Sequence, residues 1–363
     1  MAAHSASESA SCRSGISLDI SGGARGFKIY QKGKLLWSEV QGEFFTSDSE
    51  VKDFCAKAKL FPKRPERIVA LSSTYLPWLE DLNLLGNVVG ISSKAYVANK
   101  QIHEAVTQEK VSEVGLPASA ERILGLRPDV VITYRPIDRE IEGTQKLSSL
   151  GLKVLELSEF DEAGPLARGS WLLFLAATLG EHEDFLAAQK LWQQRFDLYQ
   201  AYKEKAHNFE KVPVIVGNIT ENAWSAPPAR SDLVQLIEDA RGEYVWLDLA
   251  RKDSGPHALK LSFEKVLQTS KNASVWLTQN QWTSLTQGIQ EDSRYKILPM
   301  LKKGRVYNYS KNKQPGFGFD YWETGVARPD LMLRDLILIL HPSKKKFFEI
   351  DKNKDTLWYQ KLE

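Results

Sequence analysis

Two stretches of this chain, 66–164 and 209–341, alternate short apolar runs with segments of helical periodicity, and the 165–208 stretch between them is helical throughout. In the first, runs at 68–71, 88–91, 130–133 and 154–157 alternate with helical segments at 76–85, 118–126 and 140–150. In the second, runs at 212–217, 244–247, 274–278 and 306–308 alternate with helices at 232–240, 262–268, 292–302 and 329–340. Strands that read as unbroken apolar runs are covered on both faces, and strand–helix–strand order brings successive strands parallel. The pattern predicts an α/β protein of two Rossmann-like lobes with mostly parallel sheets, joined by a long helix, with the ligand cleft between the lobes. Gly180, followed by Glu181, Glu183 and Asp184, marks one connector helix ending and another beginning. The second piece places Phe185, Ala188, Trp192, Phe196, Tyr199 and Tyr202 on one stripe.

The length of 363 residues agrees, since it exceeds the roughly 250–300 at which one hydrophobic core splits. The expected organisation is a flexible leader over 1–16, an extension over 17–65, a first lobe over 66–164, a connector over 165–208, a second lobe over 209–341 and a tail over 342–363. Within the extension, runs at 26–30 and 34–37 flank Gln31-Lys32-Gly33 and predict a hairpin. In the tail, Lys344 to Lys346 read as a solvated charge run. The formal net charge is +2 with the two signs interspersed, so the basic field that nucleic-acid binding requires is missing. No window approaches the ~18 apolar residues of a membrane span. Residues 1–15 lack the apolar core of a signal peptide. Cys12 and Cys55 form neither a metal motif nor a disulfide framework. Cys55 reads as a buried thiol. Cys12 stands where a lipidated first residue would, although Ser9-Ala10-Ser11 lacks the apolar residue that such processing prefers.

Catalytic signatures are missing from the sequence: there is no nucleophile elbow, phosphate loop or dinucleotide fingerprint, and His182-Glu183 lacks the second histidine of a zinc-protease motif. No enzyme, no resident cofactor and no protein-built metal site are expected. Aromatic rings near strand ends stand out instead. Open α/β sheets bind ligands beyond the carboxyl ends of their strands. In the first lobe those positions hold Tyr75, Tyr96, Tyr134 and Arg135. In the second they hold Trp224, Arg230, Trp246, Arg251, His257, Trp282, Phe317, Phe319, Tyr321 and Trp322. Flat rings with a few cationic groups suit a large, partly apolar ligand with polar or anionic edges. For each ring the competing expectation is core packing, most strongly for Trp78 and Trp171, which fall inside predicted helices.

The order of motifs resembles the helical-hinge substrate-binding proteins of bacterial ABC importers that carry vitamin B12, ferric siderophores or haem. The resembling segments are Arg67-Ile68-Val69-Ala70-Leu71-Ser72, Gly86-Asn87-Val88-Val89-Gly90-Ile91 and Glu121-Arg122-Ile123-Leu124-Gly125-Leu126-Arg127-Pro128-Asp129-Val130-Val131-Ile132. Leu150 to Val154, Ser231 to Gly242 and the closing Asp320 to Leu331 extend the resemblance over about 66–341. The chain departs from the family pattern at Arg241, at Asn272-Ala273-Ser274 where Pro-Asp is usual, and at Trp276. The resemblance implies a monomeric envelope protein, periplasmic or lipid-anchored, that captures a corrinoid or a ferric siderophore whose metal belongs to the ligand. It implies delivery to an ABC permease with its ATPase subunits, with Glu121 and Glu264 docking into the permease. Alternatives are a haem carrier of the same fold, or a sensor or scaffold that no longer transports.

Overall fold

The computed structural model describes residues 64–134, 147–157, 159–162, 164–253, 257–314, 316–344 and 355–363, together with three strands nearer the N-terminus. Those strands, β1 (Ile16–Ile20), β2 (Phe27–Gln31) and β3 (Lys34–Ser38), form an antiparallel meander. The predicted hairpin is thus present, with β1 added to it. Cys12, Cys55, Arg135 and most of the helix predicted over 140–150 lie outside the described residues.

The chain divides into two compact units. The first comprises 1–162 and 167–193, the second 163–166 and 194–363. In the first, β4 (Ile68–Ala70), β5 (Val88–Ile91), β6 (Ser112–Glu113), β7 (Val130–Tyr134) and β8 (Val154–Leu157) form a fully parallel sheet in the order β6-β5-β4-β7-β8. Central β4 is buried at every position. On one face of the sheet Val69 and Val131 pack with Val114, Ile123 and Leu147.

The second unit carries β9 (Val212–Val216), β10 (Asn218–Thr220), β11 (Ala223–Ala226), β12 (Gly242–Tyr244), β13 (Leu259–Leu261), β14 (Val275–Leu277), β15 (Val306–Asn308) and β16 (Gln360–Lys361). Its main sheet runs β12-β9-β14-β15-β16, parallel except for antiparallel β16, and β10-β11-β13 form a small antiparallel sheet beside it. A helix at Leu247–Asp253 and the strand β13 of the small sheet occupy the region between the runs predicted at 244–247 and 274–278, where no element was expected before the helix at 262–268.

Two boundaries differ from expectation. The helix His182–Ala206 is divided between the units, because Tyr199, Tyr202 and Ala206 pack into the second unit's core. The end of the chain is not a tail: Trp358, Tyr359 and Leu362 are core residues and β16 completes the sheet edge. Asp335, on the helix Pro329–Leu340, holds this segment, its carboxylate accepting N–H bonds from Leu357 (2.9 and 2.8 Å) and Trp358 (2.9 Å). Burial pushes the Asp335 carboxyl up to about 6, even though those N–H groups and Arg334 favour its ionised form. Sequence patterning misses β16 because so short a strand owes its existence to an edge supplied by distant residues.

Candidate functional site

In the first unit the strand order reverses between β4 and β7, which places the ligand-facing crevice at their carboxyl ends. The turn after β4 begins at Ser72, whose hydroxyl accepts from Thr74 N–H (3.3 Å) and starts the helical turn Ser73–Tyr75. Tyr75 is fully buried and stacks on Trp78 with ring centres 6.3 Å apart. Its hydroxyl has no hydrogen-bond partner among the described residues. Burial, reinforced by nearby Glu159, holds its acidity well below that of an ordinary phenol. Glu159 pairs with Arg168 (3.4 Å), and Glu162 accepts from Trp171 Nε1 (2.9 Å). Tyr134, the last residue of β7, is half-buried, and Tyr96, after β5, is exposed.

The second unit corrects several expectations. Trp224, Trp246 and Trp282 are 0%, 0% and 1% exposed, which removes them from ligand contact in this conformation. With Trp276 and Tyr295 they form one interlocked cluster, with the contacting ring centres 5.1–6.2 Å apart. Every indole N–H in it has an internal acceptor. Trp224 donates to Val216 O (2.9 Å), Trp246 to Thr269 Oγ1 (2.7 Å), Trp276 to Gly217 O (2.8 Å) and Trp282 to Glu291 Oε2 (2.6 Å). A buried tryptophan needs such a partner, and these rings are satisfied without a ligand. Gly217 makes the arrangement feasible: its φ is +106°, and a Cβ there would lie 1.9 Å from Ser225 O. Tyr321 is also mostly buried, its hydroxyl sharing a hydrogen bond with Tyr359 (3.3 Å).

An accessible aromatic shelf stands at the carboxyl end of β15. Tyr309, the next residue after the strand, meets Tyr321, Phe319 and Trp322 at 4.7, 5.2 and 5.7 Å between ring centres. Trp322 is 41% exposed, Tyr309 and Phe319 are half-buried, and the Tyr309 hydroxyl donates to Gln279 O (3.1 Å) beyond β14. Gly316, at φ +77°, supports the turn in which Phe317 N–H donates to Gln314 O (3.1 Å), and Phe317 is half-buried. Lys313 Nζ lies 4.3 Å from the Phe319 ring centre and donates to Gln281 Oε1 (3.1 Å). The sequence reading missed Tyr309, Lys313 and Gln281; their signal was position, just past β14 and β15. Arg230 and His257 are exposed, and exposed Arg251 lies 3.9 Å from Asp248 within its own helix. None of the three touches the shelf through a described hydrogen bond, ion pair or ring contact.

Glu121 and Glu264 occupy matching local settings in the two units. Each is exposed in the first turn of a short helix, Ala120–Gly125 or Phe263–Thr269, that precedes a strand of its parallel sheet. Each helix is capped by a serine two residues before the glutamate: Ser119 accepts from Arg122 N–H (3.3 Å) and Ser262 from Lys265 N–H (3.2 Å). Hydrogen bonds from its own N–H and the Ser262 hydroxyl, with Arg294 adding a smaller attraction, hold the Glu264 carboxyl below the usual range.

The sequence matches the periplasmic binding protein family over residues 68–312. A lipoprotein of Methanocaldococcus jannaschii is 25% identical over 291 residues, covering 77% of this chain, and the chain spans 66% of that relative's length. The iron(3+)-hydroxamate-binding protein of Bacillus subtilis is 22% identical over 261 residues, 68% of this chain and 74% of the relative. Among solved structures, an ABC transporter substrate-binding protein from Listeria monocytogenes superposes with a TM-score of 0.55 at 19% identity, covering 77% of this chain and 100% of that one. The family match contains every strand of both parallel sheets except β16 and extends over more than half of the sequence. The chain therefore belongs to the periplasmic binding protein family, a family of binding proteins rather than catalysts.

Proposed function

We propose that this protein is a cell-envelope carrier that captures a ferric siderophore or a corrinoid and delivers it to an ABC permease. The observation that carries this reading is the shelf of Trp322, Tyr309 and Phe319 at the carboxyl end of β15, beside the backbone carbonyl of Gln279 and the uncharged side-chain amide of Gln281. Partly exposed rings beside hydrogen-bonding groups cover an apolar face while meeting a polar edge. Iron or cobalt, in this reading, arrives already coordinated by the ligand.

The ferric siderophore is the stronger candidate. An abundance of tryptophan would favour a broad macrocycle, but Trp78, Trp192, Trp224, Trp246, Trp276 and Trp282 are all fully buried, which removes that argument for a corrinoid. The relative named for iron(3+)-hydroxamate binding supports the siderophore. Glu121 and Glu264 serve, on this proposal, as two anchors that orient the loaded carrier on its permease.

Tryptophan-fluorescence titration of the full chain with ferrichrome, ferric enterobactin, cyanocobalamin and haemin, corrected for ligand absorbance, tests the reading. Saturable one-to-one quenching by a ferric chelate is the expected result. Saturation by none of the four overturns it.

A further inference from the structure

Lysines 311 and 313 follow β15 two residues apart but have different surroundings. Lys311 Nζ is paired with Asp355 Oδ2 (2.7 Å), and it also donates to Thr356 O (2.5 Å). Lys313 is exposed and has no carboxylate within ion-pair distance among the described residues. Its ammonium is nevertheless held in place by the face of Phe319 and by Gln281 Oε1. Two contacts to one ammonium, one cation–π and one hydrogen bond, leave donor capacity for a further acceptor and reduce the freedom lost when that acceptor arrives.

Nearby carboxylates are engaged or buried: Asp355 is paired with Lys311, and Glu323, which follows Trp322, is 1% exposed. In the described stretches 278–284, 309–314 and 316–322 the sole acidic residue is Asp320, and its Oδ2 already accepts from Trp358 Nε1 (2.8 Å). The shelf thus presents rings, the Gln279 carbonyl, the Gln281 amide and one positioned cation. Such a surface is neutral toward an uncharged ligand and attracts an anionic one.

We propose that Lys313 contacts the cargo and selects ferric chelates that carry negative charge, pairing its ammonium with a carboxylate or catecholate oxygen while the body of the chelate lies against Trp322. This inference rests on the carrier reading above. It narrows the ligand from ferric siderophores in general to anionic ones, and it assigns a specificity-determining role to a residue that no aromatic pattern points to. The pair would form at a partly exposed site, so its strength falls as ionic strength rises.

The test compares the full-length wild type with K313M, which keeps an unbranched apolar stem over Phe319, and K313R, which keeps the charge. Probes are ferric aerobactin, whose citrate backbone supplies carboxylate, ferric enterobactin, whose catecholates make the complex anionic, and neutral ferrichrome. K313M should weaken binding of the anionic chelates roughly ten-fold while leaving ferrichrome within about two-fold, and K313R should restore most of the loss. Affinity for the anionic chelates should fall with added salt in the wild type and much less in K313M. Loss on only one of the two anionic chelates distinguishes carboxylate from catecholate as the partner. Equal losses on all three probes, no loss on any, or a wild type that takes only ferrichrome would overturn the assignment. A wild type that binds none of them removes the carrier reading, and this inference with it.

Discussion

The division of tryptophans between core and shelf predicts a double dissociation between W224F or W224A and W322A. Trp224 has no exposed surface, and its indole N–H donates to Val216 O at 2.9 Å. A ring of this type buries about 200 Å², and at ~25 cal/mol per Å² that corresponds to about 5 kcal/mol, within the range measured for tryptophan-to-alanine changes in cores. W224A should therefore destabilise the second unit by about 4–5 kcal/mol. W224F keeps most of the apolar surface but leaves a cavity and an acceptor without its donor, and should cost about 2 kcal/mol. Trp322 is 41% exposed and rests on Tyr309 and Tyr321, so W322A should cost about 1–2 kcal/mol. Urea unfolding followed by far-ultraviolet circular dichroism measures these differences without relying on the altered fluorophore. With a slope of about 2 kcal/mol per M, W224A moves the midpoint of the second unit's transition down by about 2 M. Ligand affinity, measured by calorimetry on the folded proteins, should be unchanged within about three-fold in W224F and reduced about ten-fold or more in W322A. A W224F protein with wild-type stability but lost affinity would place the buried indole in the ligand site and exclude this division of roles.

Two further predictions come from charged groups. Asp335 has its carboxyl raised from 3.8 to about 6 in the folded protein, so the unfolded chain releases this proton first as pH rises. The associated stability is fully present below about pH 4 and is lost as pH rises through about 6, a change of about 3 kcal/mol at roughly 1.4 kcal/mol for each tenfold change in acidity. The stability of D335N relative to wild type should accordingly rise by about 2.4 kcal/mol between pH 4 and pH 7 in paired urea titrations, and a difference that stays flat contradicts the assignment. Glu121 and Glu264 are exposed, so E121A and E264A should each change stability by less than about 0.5 kcal/mol. On the docking proposal the double variant keeps wild-type ligand affinity yet fails to support uptake into cells that depend on this carrier, whereas undiminished uptake would exclude these anchors.

The class of fold and the position of most strands were legible in the order of amino acids alone. The runs at β4, β9 and β14 are apolar along their length, and that at β7 up to Thr133, because parallel strands covered on both faces leave no solvent side for polar residues. The helices expected at 118–126 and 262–268 are present as Ala120–Gly125 and Phe263–Thr269, their starts set by the caps Ser119 and Ser262, which the periodicity did not mark. The role of each aromatic residue depends on long-range packing. A tryptophan has a large apolar face and one donor, so it suits a core or a binding shelf equally well. Trp224, Trp246, Trp276 and Trp282 became core because Val216, Thr269, Gly217 and Glu291 supply acceptors where the rings pack. Trp322 remained accessible because its neighbours Tyr309 and Tyr321 cover only part of it. The same holds for the C-terminal strand, whose two residues gain a sheet edge from β15 and whose preceding turn gains an anchor in Asp335. These partners are distant in sequence, and their proximity is a property of the folded chain.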